Sequence, residues 1–148
     1  MQNFTKFLSL FLLLGVLSSA SCEKELEEPD GPEKLIPGRW LRSKIEYSTD
    51  GTTWSLSSNS CQLDDIEEYT SDGKWLFSGG SDICSSSTGT PTGTYRLAEE
   101  GTKIIFIYSH TPGEYEKNIE LLDQNTMILN HNIRDINNTQ ARTTYLRQ

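Results

Sequence analysis

Two histidines, three cysteines and one dense run of carboxylates are the groups in this chain that could carry chemistry. His110 and His131 both fall near turns. Neither has the i, i+4 partner or the Cys-x-x-Cys pair that builds a zinc site, so no metal centre is expected. The carboxylates are Asp64, Asp65, Glu67 and Glu68. A calcium loop needs the ligand spacing and central glycine of an EF-hand, which this run lacks. A catalytic carboxylate pair is the other functional reading; a solvated strand face is the plainer one and is the expectation here, with Asp64 or Asp65 able to bond a neighbouring turn. Serines are plentiful, but none sits in a nucleophile elbow, and there is no glycine-rich phosphate loop. The chain is therefore expected to be neither an enzyme nor a cofactor carrier. Asn137-Asn138-Thr139 matches a glycosylation acceptor but reads as a turn.

What positions these groups is a series of short strands. Runs rich in Ile, Tyr, Thr, Trp and Phe alternate with turn clusters, a pattern of all-β sandwiches and barrels. The predicted strands are 39–47, 52–57, 62–70, 74–78, 93–98, 103–108, 114–122, 126–132 and 141–147. The breaks between them include Asp50-Gly51, Asp72-Gly73, Gly79-Gly80, Glu100-Gly101 and Pro112-Gly113. Such pairs supply the positive φ that tight hairpins require. Short connections make successive strands antiparallel, as in a meander. Eight or nine of them would close into a barrel rather than leave edges exposed. The interior of an eight-stranded barrel either fills with side chains or holds one small ligand. The face assigned to Tyr69, Trp75, Phe77, Tyr95, Leu97, Ile105 and Ile107 is the candidate ligand lining, and the same residues would serve a filled core.

The hairpin around Asp72-Gly73 admits two registers. A three-residue loop, Ser71-Asp72-Gly73, places Tyr69 opposite Trp75 and Glu67 opposite Phe77, with Cys61 facing Ile83. A two-residue turn places Cys61 opposite Cys84 but sends Tyr69 and Trp75 to opposite faces. A bulge at Gly79-Gly80 would reconcile the two. In either register the sulfurs of Cys61 and Cys84 come within disulfide reach.

Residues 1–21 carry one charge, Lys6, followed by the apolar run FLSLFLLLGVL and small residues, the layout of a secretory signal. That run of 11 is too short to span a bilayer, which takes about 20 residues. Cleavage after Ala20 would start the mature chain at Ser21; cleavage before Cys22 would free that cysteine for acylation. The segment resembles a bacterial lipobox, with Ser19 where leucine is commonest. Acylating Cys22 would also leave an even pair, Cys61 and Cys84, in an oxidising compartment. Residues 22–34 (CEKELEEPDGPEK) lack aromatics and read as an acidic, flexible tether. The remainder, 35–148, is one domain of about 115 residues. Removing the leader leaves 148 − 21 = 127 residues, with 12 basic against 21 acidic side chains, a formal charge of −9. So acidic a chain lacks the basic footprint of nucleic-acid binding.

Several pieces occur together in order: Gly38-Arg39-Trp40, then CQLDDIEEYTSDGKWLF at 61–77, then Cys84, GTYRL at 93–97 and TKIIFI at 102–107. This set resembles the lipocalin-like lipoprotein family of gut bacteria, over residues 35–148 and the leader. The resemblance implies an eight- to nine-stranded barrel, acylated at Cys22 and anchored to the outer membrane of a Gram-negative cell, at the periplasmic face or the surface. It also implies that Trp40 plugs one end of the barrel beneath an arginine, Arg147 or Arg142. Arg42 departs from the pattern, standing where an apolar residue is usual; a bulge near it would let Trp40 and Ile45 both point inward. The expected function is a monomeric binding module for a small apolar or amphipathic ligand. The alternative is a filled barrel that meets protein or glycan partners through its loops.

Overall fold

The structure, a computed structural model, describes residues 30–82, 91–133 and 138–148. A single-turn helix, α1 (Pro32–Leu35), precedes nine strands: β1 (Gly38–Ser48), β2 (Ser55–Leu56), β3 (Ile66–Tyr69), β4 (Lys74–Ser78), β5 (Thr92–Ala98), β6 (Lys103–Tyr108), β7 (Glu114–Leu122), β8 (Thr126–Asn132) and β9 (Gln140–Arg147). Every pairing is antiparallel. From β3 to β9 each strand pairs with the next, and β9 returns to β1, so β1 and β3–β9 close an eight-stranded barrel. The two-residue β2 is an extra strand hung on β1 at Glu46 and Tyr47.

Local chemistry sets the registers. Gly73 takes φ +81°, and Tyr69 pairs with Trp75 and Glu67 with Phe77 across the three-residue loop. The ladder stops short of the cysteines. Cys61 lies in a 3-10 turn, Ser60–Gln62, not on a strand, and Cys84 lies outside the described residues. The bulge expected at Gly79-Gly80 is absent, because β4 ends at Ser78. Carboxylates take over where the ladder ends: Asp64 accepts from Ser81 Oγ at 2.9 Å and from the Asp82 amide at 3.0 Å, and Asp65 accepts from the Gly80 amide at 3.3 Å.

The bulge in β1 is present. Its register on β9 shifts between Arg42 and Lys44, so Trp40, Arg42 and Ile45 all share the inner face. In β6 the inner face is the opposite of the one expected. Leu97 pairs with Ile104 and Tyr95 with Phe106, which turns Ile104, Phe106 and Tyr108 inward and puts Ile105 and Ile107 on the outer face. Four consecutive apolar residues, Ile104 to Ile107, carry no alternation from which to read the phase.

One end of the barrel is closed. Trp40 is fully buried, and its indole N–H donates to the Ile36 carbonyl at 2.8 Å. The Arg147 guanidinium lies 4.2 Å above the Trp40 ring. It donates to the Pro37 carbonyl at 3.0 Å, to Gln124 at 2.6 Å and also to Leu35. Arg142 points elsewhere, pairing with Glu46 and Glu120 on the outer face with Trp54 stacked on it at 4.3 Å. Pro32 to Lys34, assigned to the tether from composition, form the first turn of α1. Proline suits the first helical position, and buried Ile36 anchors the turn to the barrel floor.

Arg147 is thus one planar fork serving three carbonyls, a task a point charge performs poorly. Arg147→Ala should cost about 2 kcal/mol in urea unfolding at unchanged m-value. Arg147→Lys should recover less than half of that. A loss below about 0.5 kcal/mol for Arg147→Ala would mean that the clamp contributes nothing to closure.

Candidate functional site: the charged cluster and mouth of the barrel

The acidic run at 64–68 does not form a solvated strand face. Only Glu68 is exposed; Asp65 is buried and Glu67 is 1% exposed, inside the barrel. The inner face of β3 carries Glu67 and Tyr69, and their neighbours across the lumen satisfy the carboxylate completely. Its Oε1 accepts from Tyr145 Oη at 2.8 Å and from Arg42 Nη2 at 2.9 Å. Its Oε2 accepts from Tyr69 Oη at 2.7 Å and from Trp75 Nε1 at 2.9 Å. A carboxylate has about four lone-pair directions, and all are used. Arg42 Nη1 reaches on to Asp65 Oδ2 at 2.8 Å. Lys117 Nζ stands 4.0 Å from Glu67 Oε1 and 4.9 Å from the centre of the Phe106 ring.

Burial by itself would raise the Glu67 pKa. The charges of Lys117 and Arg42 and the Tyr69 and Trp75 donors outweigh it, holding the carboxyl at about 2. Burial and the Glu67 charge together push the Tyr69 and Tyr145 hydroxyls well above their ordinary range, so both stay donors. Asp65 is raised, because burial exceeds the pull of Arg42. His131 is lowered to about 4, first by burial and then by Lys117. Its ring is neutral at pH 7, and its Nδ1 is buried without a hydrogen-bond partner among the described residues.

Above the cluster, at the end opposite Trp40, a cleft of about 240 Å³ is lined by Tyr108, Tyr115, Lys117, His131 and Ile133, with Glu116 and Asn132 at its edge. The Tyr108 and Tyr115 rings meet edge to face at 4.8 Å.

The chain resembles the crystal structure of a lipocalin-like protein from Bacteroides uniformis. The two share 16% identity over 73% of this chain and 96% of that one, with a TM-score of 0.46. No family model matches this chain, and no curated protein matches it.

The sequence-predicted lining divides between three places. Tyr69 and Trp75 are buried, with their polar atoms spent on Glu67. Tyr69 packs edge-on against Tyr95 at 5.1 Å, and Trp75 against Phe106 at 5.8 Å. Phe77 and Leu97 are half-buried against the same core, whereas Ile105 and Ile107 are outside it. Residues that sequence reasoning passed over complete the site: Arg42, Lys117 and Tyr145, with His131 weighed only as a zinc ligand. Lys117 did leave a signal, since it alternates with Tyr115 and Ile119 on the inner phase of β7. Among the described residues no group of His, Cys, Asp and Glu could hold a metal ion. Cys22 lies outside the described residues.

Glu67→Gln would leave Arg42 and Lys117 without their central counter-charge and should cost about 3–5 kcal/mol. Acid should act through the same group. A carboxyl lowered from 4.5 to about 2 stabilises fully above pH 4.5, and that contribution, about 3 kcal/mol, is lost as pH falls towards 2. Asp65 works in the opposite sense, since its folded pKa is raised. Chemical unfolding followed from pH 6 to pH 2 should therefore show a steeper acid slope in the wild type than in Glu67→Gln. Equal slopes would remove Glu67 from the account.

Proposed function

We propose that this protein is a lipid-tethered binding module of the bacterial cell envelope that takes a small amphipathic molecule at the open end of its barrel. The observation that carries the reading is the mouth cleft. Aromatic walls from Tyr108 and Tyr115 stand beside the polar ends of Lys117 and His131, at the end opposite the Trp40 plug. An apolar lining with a few convergent polar groups is the usual make-up of a small-molecule site. In this reading the ligand sits above Glu67 and not among the packed rings of Tyr69, Trp75 and Phe106. Binding, not catalysis, is the activity assigned. The filled lower half supports a second reading, in which the barrel is a solid platform whose open-end loops meet a partner.

Anchoring belongs to the same proposal and rests on the leader sequence, with Cys22 acylated, Cys61 and Cys84 joined as a disulfide, and the acidic tether holding a monomeric barrel off an outer membrane. Several acyl chains anchor firmly where one does not. Intact mass spectrometry of the protein from its native host's membranes should give a chain beginning at Cys22 with acyl mass added, gaining two hydrogens on reduction. A lipid-free chain beginning at Ser21 would refute the anchor.

Occupancy can be tested separately. Organic extraction of the natively purified protein should release a small molecule that is absent from His131→Trp, where the indole fills the cleft. Equal recovery from both proteins would place the ligand elsewhere. Nothing recovered from the wild type would favour the platform reading.

A further inference from the structure

Lys117 is the one charged group of the interior whose hydrogen bonds are unspent. Arg42 bonds both Glu67 and Asp65. Glu67 has no direction left for a fifth donor, since Tyr145, Arg42, Tyr69 and Trp75 occupy all four. Lys117 is left at 4.0 Å from Oε1, beyond hydrogen-bond distance, with its ammonium against the Phe106 ring. Its side chain is only 14% exposed, and it opens onto the cleft of about 240 Å³. An ammonium carries three donors, and one held this far from bulk water is poorly served by a face-on ring alone.

The surroundings favour an anion there. His131 is neutral at pH 7 and neither competes for the anion nor repels Lys117 further. Glu116, the carboxylate at the rim, has 57% of its side chain exposed and pairs with Lys103 at 3.4 Å on the outer face. The charges of Glu67 and Asp65 are met by Arg42. The cleft volume corresponds to about eight waters at roughly 30 Å³ each, room for one substituted ring.

We propose that the mouth cleft selects a small aromatic oxyanion, its charged group seated on Lys117 and its ring against Tyr108 and Tyr115. This rests on the binding-module reading above and names the ligand class. The charged group could be a carboxylate, sulfonate or phosphate, for the ammonium is a point charge without the bidentate geometry that tells them apart.

Isothermal titration of the full-length protein in detergent, at pH 7 and low salt, with benzenesulfonate and its neutral isostere benzenesulfonamide, tests the idea. The sulfonate should bind about tenfold tighter or better, a gain of about 1.4 kcal/mol. The preference should disappear in Lys117→Met and persist in Lys117→Arg. Should Lys117→Met fail to fold, the wild-type comparison and Lys117→Arg still decide. Equal affinities for the two probes in the wild type would overturn the anion assignment and leave the binding module standing. A preference that survives in Lys117→Met would overturn the role of Lys117. If neither probe binds and native extraction also yields nothing, both this inference and the binding-module reading fail together.

Discussion

A carboxylate with every lone-pair direction committed holds the middle of this barrel together. Glu67 on β3 receives donors from β1, β3, β4 and β9, so four of the eight strands meet at one side chain. Burying a charge costs several kcal/mol unless it is matched. Here Arg42 and Lys117 match it, and the phenols and indole fill the remaining directions. The cluster also closes a seam. β1 pairs with β3 only from Gly38 to Leu41, after which β1 turns its edge to β2. Just beyond that point Arg42 donates its amide to the Asp65 carbonyl and its guanidinium to Asp65 and Glu67. Side-chain ion pairs continue the joint where the backbone ladder ends.

The cluster divides the interior into two unequal parts. Below it, Trp40, Ile104, Met127 and Leu129 are fully buried under α1 and the Arg147 fork, so the floor is packed. Above it, the tyrosine pair, Lys117 and His131 leave a cleft large enough for one ring. The saturation of Glu67 is what connects the two. Because its neighbours use every acceptor site, the lysine is held near by charge but left without a bond.

Much of the architecture was legible because it depends on local signals. Turn pairs such as Asp72-Gly73 placed the hairpins, and β4, β6, β7 and β8 run over the residues that alternation and turn chemistry indicated. The three-residue loop set Tyr69 opposite Trp75. What was not legible depends on partners distant in sequence. The apolar run Ile104–Ile107 has no phase until β5 supplies one. Asp65 and Glu67 looked like a wet face because Arg42, Tyr145 and Lys117 are each at least 23 residues away from one or other of them along the chain. The one trace of the cluster in the sequence was Arg42, a cation in a position that calls for an apolar residue.

That arginine belongs inside because of a single extra residue. Had β1 run without its bulge, strict alternation from Trp40 would have carried Lys44 and Glu46 into the barrel and put Ile45 in solvent. Inserting one residue after Arg42 resets the phase. Ser43 turns its hydroxyl to the Thr144 carbonyl at 3.1 Å, and Ile45 enters the core. Glu46 moves to the outer face, where Lys44 and Arg142 hold it at 2.8 and 3.0 Å. The bulge therefore sorts two sets of charges at once. It leaves one cation inside to meet Glu67 and sends an opposite pair outside to meet each other. An apolar residue at position 42 would spare the barrel a buried charge, but it would leave Glu67 with Lys117 alone, and the lysine would then be drawn into the bond it now lacks.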